Sequence, residues 1–544
     1  MVVSEHVLAS NAGVEILKRG GNAIDAAVAV GFALAVVQPS AGNIGGGGFM
    51  LVRMSNGDLH FLDYRETAPA AATANMYLDA QGNVIPELSV VGYKSIAVPG
   101  SVAGMVKAQK LWGKLTLRDV MAPAIRLARN GWRLSPAEAH GLHTEELGRF
   151  PESRKIFQRN GHFYKPRMLF REPDLARTLE EISQNPDSFY HGALAKRIAD
   201  AVQKGGGLIT TDDLAKYEAK ERQPVQGDYR GYQVISAPPP SSGGIALLEV
   251  LNILEGYDLE RLRDRTVASM HLTVEAFKRA FMDRSELLGD PDFAQIPVAQ
   301  LIDKKYAAGW RESINPDKTE PANELRRPEA FRQLDRVANL NMKREPTHTT
   351  HYSIVDPAGN AVAVTTTLNG SFGSFVTAGK LGFLFNDEMD DFASKLGVPN
   401  QYGLIQGEAN AIGPEKRPLS AMTPTIVIKD GKLFLVLGSP GGPRIITTVA
   451  NILMGVIDYH MDIQQSVNAP RFHHQWLPDK ISIEPGFATD TIEQLRRRGH
   501  AITRFEGENS GYWSSGECIE IDQKTGDLLG ATDHRHTMGR AVGY

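Results

Sequence analysis

Pro346-Thr347-His348-Thr349-Thr350-His351-Tyr352-Ser353 stands about two thirds of the way along the chain and separates two kinds of sequence. Before it runs a charged, proline-bearing linker from Asn315 to His348; after it, apolar and polar residues alternate. A hydroxyl amino acid at such a junction has a definite chemical use. If the His348–Thr349 bond is cut, Thr349 becomes an N-terminus, with its hydroxyl beside its own free amine. That pairing is a nucleophile and base within one residue. An α-amino group titrates near pH ~8, so a useful fraction is neutral and basic at physiological pH. The alternative is that Thr349 and Thr350 simply open a β-strand, for which Thr is well suited.

A chain of 544 residues is long enough for several domain-sized cores or one large, intimately joined pair. Hydrophobic residues make up 42% and charged residues 22%, as in soluble globular proteins. The net charge of -4, with acids and bases interspersed, argues against a nucleic-acid-binding face. A single cysteine, Cys518, excludes an intramolecular disulfide and a cysteine-built metal cage. The most apolar run, Ala26 to Val37, is too short to span a bilayer. No signal peptide is visible at Met1-Val2-Val3-Ser4, and the expectation is that an upstream segment has been removed.

Apolar spacing predicts a helix from Val7 to Arg19, and a second, buried one from an Asn22 cap to Val37. The run Ala41 to Gly48 lacks the Lys-Ser/Thr of a phosphate loop and reads as close backbone packing beneath a site. Phe49–Met54 and Leu59–Tyr64 flank an Asn56-Gly57 hairpin turn, with Arg65 at the exit. Helical patterns dominate from Ser101 to about Ile314, interrupted by one strand, Tyr229–Ala237, and by the rigid turn Pro238 to Gly244.

Beyond Thr349 the chain reads as strands: Thr350–Val355 and Ala361–Leu368, then Thr425–Ile428 and Leu433–Leu437. Alternation sets Thr365, Thr367 and Asn369 on one face, near Thr349; as a plain strand they would be solvated. The acidic cluster Asn386 to Phe392 reads as a solvated surface, an oxygen-rich metal site or a pocket for an ammonium group. Lys395–Gly407 reads as a mobile loop. Ser439-Pro440-Gly441-Gly442-Pro443 precedes a helix from about Arg444 to Tyr459, so its bare N–H groups suit a developing oxyanion, or form a plain tight turn. His473-His474 reads as structural, because no third ligand has suitable spacing.

Together these pieces resemble the γ-glutamyltransferase family of N-terminal-nucleophile hydrolases, over essentially the whole chain from Ala9 to Tyr544. The motifs that carry the resemblance are Thr349-Thr350-His351-Tyr352-Ser353, Pro418-Leu419-Ser420, Gly438-Ser439-Pro440-Gly441-Gly442 and Asp63-Tyr64-Arg65-Glu66. The resemblance implies an α+β, four-layer αββα sandwich made by a precursor that cuts itself between His348 and Thr349. A helix-rich large-subunit region, 1–348, and a small-subunit region, 349–544, would pair as a heterodimer, because the central sheets take strands from both. Thr349 would be the nucleophile, held by Thr367. Gly441 and Gly442 would stabilise the oxyanion. Asn369, Glu388 and Asp391 would bind the α-ammonium of a γ-glutamyl group, and Arg65 and Ser420 its α-carboxylate. Tyr402 would belong to a lid over the site.

The family commonly has a second serine where this chain has Ala421, so one hydrogen bond to the carboxylate, worth roughly 1.5–3 kcal/mol, is in question. The resemblance implies glutathione or another γ-glutamyl compound as donor, water or an amino-acid or peptide acceptor, and periplasmic or extracellular localisation. No metal or organic cofactor is required, because a hydroxyl, an amine and backbone N–H groups suffice. The rivals are an acylase of the same fold acting on glutaryl or cephalosporin-type groups, and an uncleaved, non-catalytic amino-acid-binding protein. Retention of Asn369, Glu388 and Asp391 argues against the acylase, since a glutaryl group has no ammonium to bind. Thr349, Thr367 and the two-glycine turn argue against the binding protein.

Overall fold

The computed structural model describes residues 1–334, 349–377, 379–505 and 513–544. His348 and the second part of the linker therefore lie outside the described residues; up to Leu334 the linker carries a single 3-10 turn, Glu329–Leu334.

Two antiparallel sheets form the centre. The seven-stranded sheet has the order Arg540–Val542, Val2–Ser4, Thr350–Val355, Ala361–Thr367, Gly47–Arg53, Leu59–Asp63, Lys220–Arg222. The six-stranded sheet has the order Leu528–Thr532, Glu517–Ile521, Lys432–Leu437, Thr425–Lys429, Tyr232–Ser236, Val225–Tyr229. Each sheet mixes strands from before and after Thr349, as the sequence implies.

Period-two alternation sorts the side chains of the first sheet. Met50, Val52, Tyr352, Ile354, Val362 and Val364 face a helical layer and share its core. Phe49, Leu51, Val355, Ala361 and Ala363 face the other way, into a core shared with the second sheet. Helix Ala23–Val37 heads the outer layer on the first side. An Asn22/Asp25 capping box starts it, and every residue in it is buried, so it is an internal helix rather than an amphipathic one. Helices Gly243–Leu254, Val267–Leu287 and Arg444–Ile457 pack beyond the second sheet. The result is the helix–sheet–sheet–helix sandwich expected from the sequence.

The sequence reading of one strand over Tyr229–Ala237 is corrected. Val225–Tyr229 and Tyr232–Ser236 are two paired strands joined at Arg230-Gly231. Both turn residues have positive φ, 51° and 79°, the geometry that usually announces itself as Asn-Gly. Arg at the first position hides that signal.

The register of the central hairpin positions the site. Thr350 pairs with Thr366 and His351 with Thr365, so Thr349 falls opposite Thr367. Behind the end of that strand lies the glycine run. Asn43 accepts from the Gly46 amide at 2.9 Å and donates to the Thr367 carbonyl at 2.8 Å. A Cβ on Gly46 would stand 2.1 Å from that carbonyl oxygen, so only glycine fits. The Gly46→Ala variant should therefore destabilise the protein by about 3 kcal/mol. Gly57→Ala, in open space at φ 97°, should cost about 1–2 kcal/mol for backbone strain alone. Equilibrium unfolding of the two variants checks this, and equal losses would contradict it.

Candidate active site

Thr349 and Thr367 meet at the end of the hairpin, on the face between the sheets. Their hydroxyl oxygens are 3.3 Å apart and both side chains are buried. The Thr367 hydroxyl also accepts from the Asn369 amide at 2.8 Å, where the chain turns through φ 77°. Of the two readings of these residues, solvated strand threonines is excluded: Thr365 and Thr367 lie in the interior, where a hydroxyl needs a partner.

His351, two residues beyond Thr349, ties the sheets together. Its Nε2 lies 3.1 Å from Ser353 Oγ, and Ser353 donates to the Glu517 carbonyl of the second sheet at 2.8 Å. The serine proton being spent, Nε2 must carry its own hydrogen. Nδ1 then accepts from Thr365 Oγ1 at 2.8 Å. Burial pushes the His351 imidazole down to about 3, so it is neutral at physiological pH.

A charge cluster lies beside the threonines. Arg65 is fully buried at the end of strand Leu59–Asp63. Its Nη1 donates to Glu388, its Nη2 to Asp391 at 2.5 Å, and its Nε to the Pro418 carbonyl at 3.1 Å. Burial opposes the guanidinium charge, but Glu388, Asp391 and Glu66 together hold its pKa above the ordinary arginine value. Glu66 stands 3.6 Å from Arg65, and burial pushes its carboxyl up to about 7. The acidic segment is thus largely interior rather than a solvated surface, which overturns that reading. It divides its work. Glu388 and Asp391 hold Arg65, whereas Asp390 and Asp387 accept from the Gln401 amide and side chain at 3.0 and 2.9 Å. Those bonds pin the Asn400–Leu404 turn over the site, where the Tyr402 phenol donates to the Asn369 carbonyl at 2.6 Å.

Ser420 reaches the same place from a segment held by the Pro238–Ser242 turn: its amide donates to the Pro240 carbonyl at 2.9 Å, and its carbonyl accepts from the Ser242 amide at 2.8 Å. Gly441 and Gly442 have φ of 127° and 55° and lie between strand Lys432–Leu437 and helix Arg444–Ile457. Their carbonyls accept from the amides of Arg444 and Ile445, each at 3.1 Å. Ser514 holds the turn by donating to the Pro440 carbonyl at 2.7 Å.

One pocket brings together Thr349, Thr367, Asn369, Arg65, Glu388 and Asp391. Tyr402, Ser420 and Gly442 also line it, as does Ala421. Gly441 adjoins Gly442 but is not part of the lining, and His348 lies outside the described residues. The cavity is tight, with about 20 Å³ of free room. The arrangement supplies a hydroxyl, backbone N–H groups at a helix N-terminus, and cation and anion partners for a zwitterion.

Arg284 also lines this pocket, and the sequence reading assigned it no role. It sits on helix Val267–Leu287 in the apolar stripe of Phe277, Phe281 and Leu288. A charged residue on that stripe was the available signal. For metals, His271, Glu275 and His500 approach one another, but Glu275 is already neutralised by Lys278 and Arg279 at 3.2 and 2.7 Å. His473 bonds Thr447 and Gln475, while His474 lies 3.2 Å from Asp479, in keeping with structural roles.

The sequence profile described as gamma-glutamyltranspeptidase matches residues 9–543. The glutathione hydrolase proenzyme of Escherichia coli (strain K12) is 47% identical over 548 residues, spanning 100% of this chain and 92% of that protein. The glutathione hydrolase proenzyme of Pseudomonas sp. (strain A14) is 48% identical, spanning 100% and 94%. Among solved structures, the cephalosporin acylase from Bacillus halodurans superposes with a TM-score of 0.85 at 29% identity, covering 100% of this chain and 95% of that one.

The His351 environment has a consequence for acid stability. The unfolded chain binds a proton on this imidazole below about pH 6.5, and the native protein does so only near 3, so stability is lost as pH falls through that window. Between pH 7 and pH 5 the loss is about 2 kcal/mol for this residue. Denaturant unfolding at the two pH values should show it, with a shallower slope in His351→Gln; an unchanged slope would contradict the neutral assignment.

Proposed function

Because the chain belongs to the gamma-glutamyltranspeptidase family, we propose that it is a γ-glutamyltransferase and glutathione hydrolase whose nucleophile is Thr349. The single observation that carries this reading is the Thr349–Thr367 hydroxyl contact at the edge of a buried pocket built from Arg65, Glu388 and Asp391.

The precursor cuts itself before Thr349: the hydroxyl attacks the preceding carbonyl, an N→O acyl shift gives an ester, and water cleaves it. The freed amine then acts as base for the same hydroxyl. Thr349 attacks the γ-amide carbonyl of glutathione or a similar compound. The tetrahedral oxyanion is stabilised by the N–H groups of Gly441 and Gly442, each such donor worth roughly 10²–10³ in rate. The amine leaves, and water or an amino-acid or peptide acceptor takes the γ-glutamyl group from the ester.

In the pocket, the donor's α-ammonium replaces Arg65 as a partner of Glu388 and Asp391, with Asn369 alongside. Its α-carboxylate turns to Arg65 and Ser420. Tyr402 covers the bound group. This exchange of ion-pair partners keeps each buried charge compensated, which matters because an uncompensated one costs about 3–5 kcal/mol. We further infer that residues 1–348 and 349–544 remain together as a heterodimer, since both sheets take strands from each region. Localisation in the periplasm or outside the cell is part of the same proposal, supported by the family resemblance. No described helix is long and apolar enough to cross a membrane.

A glutaryl donor carries the carboxylate but no ammonium, so it leaves Glu388 and Asp391 without the exchange. The purified protein should therefore hydrolyse γ-glutamyl-p-nitroanilide with a kcat/KM at least about 10-fold above that for glutaryl-p-nitroanilide. Asp391→Asn should shrink that preference. A wild-type preference for the glutaryl anilide would replace this reading with the acylase one.

A further inference from the structure

Arg284 is a buried cation that the reaction outlined above does not use. Its Nε donates to Ser242 Oγ at 3.0 Å, and Ser242 Oγ donates in turn to the Ser420 carbonyl at 2.6 Å. The guanidinium is thereby fixed beneath the Ser420 segment. Its Nη1 is buried with no hydrogen-bond partner among the described residues. An unsatisfied buried donor on a charged group is costly and calls for an explanation. Asp391 is the acid that acts on it favourably, but Asp391 already receives a hydrogen bond from Arg65 Nη2. Burial holds the Arg284 guanidinium down to about 10, which still leaves it charged at neutral pH.

The donors available to a carboxylate in this pocket are few. Arg65 already uses Nε on the Pro418 carbonyl and its two terminal nitrogens on Glu388 and Asp391. The Ala421 side chain has no donor to offer. A carboxylate has about four lone-pair sites to satisfy, and burial makes each unfilled one expensive. Arg284 has unspent N–H capacity, a positive charge and a place in the pocket wall.

We propose that Arg284 is a specificity-determining residue that donates a charge-assisted hydrogen bond to the carboxylate at the far end of the acyl donor. This rests on the γ-glutamyl reading and deepens it: two guanidinium groups hold the carboxylate, Arg65 being released to do so as the ammonium takes its place at Glu388 and Asp391. Arg284 thereby selects acyl groups ending in a carboxylate over those that do not.

The test uses full-length, matured enzyme and two anilides: γ-glutamyl-p-nitroanilide, and 4-aminobutanoyl-p-nitroanilide, which keeps the ammonium but lacks the carboxylate. The readout is the ratio of their kcat/KM values. In Arg284→Gln this ratio should fall about 10- to 100-fold, the size of a lost hydrogen bond to a charged group. Arg284→Lys keeps the charge but not the planar fork, and should lower the ratio by about 10-fold. A purely structural role, holding Ser242 and Ser420 in place, would depress both anilides together. An unchanged ratio in whichever variant matures therefore overturns the proposal. Failure of the wild-type enzyme to turn over γ-glutamyl anilide would instead sink the underlying reading of the site.

Discussion

The fixed register between strands Thr350–Val355 and Ala361–Thr367 is the constraint on which the rest of the molecule depends. Side-chain direction in a strand has a period of two, so a slip of one residue would turn Thr367 and His351 from the inter-sheet space to the helical layer. Two features hold the register. One face carries Tyr352, Ile354, Val362 and Val364 into a core beneath helix Ala23–Val37. The other carries His351, whose hydrogen bonds to Thr365 and Ser353 join the paired strand and the second sheet. The Asn43–Gly46 bend then backs the end of the strand through the Thr367 carbonyl. A hydroxyl placed this way is held by structure from both regions of the chain.

The second organising feature is a buried charge cluster closed on itself. Arg65 between Glu388 and Asp391 is costly to bury as ions, and such pairs seldom exceed a well-packed apolar core in stability. In the proposed function its value is chemical: the same groups, separated, would meet the two ends of a zwitterion. The neighbouring acids Asp387 and Asp390 hold the covering turn at Gln401 and Tyr402. The partners of Arg65 and the anchors of the covering turn thus lie in one short segment, residues 387–391.

Much of this was legible in the sequence because the signals are local. The Asn22/Asp25 capping box, the Asn56-Gly57 turn and the alternation from Thr350 to Thr367 each declare themselves within a few residues. The glycine run was readable as close packing because little else explains several adjacent glycines before a strand. What escaped is either a local exception to residue preference or depends on long-range partners. Arg230-Gly231 makes its turn with an arginine at positive φ, against the usual residue preference. The acidic segment looks solvated until Arg65, more than three hundred residues earlier, is brought to it. Arg284 breaks an apolar helical stripe, a local signal, but its place in the pocket wall shows only in the fold.

The central claim is that Thr349 becomes an N-terminal nucleophile by its own chemistry. Intact-mass spectrometry of purified protein after prolonged incubation, beside a Thr349→Ala control, tests it most directly. The account predicts that the parent resolves into two species split before Thr349 while the control stays whole. A single uncut chain in both, with γ-glutamyl anilide still hydrolysed, would contradict it.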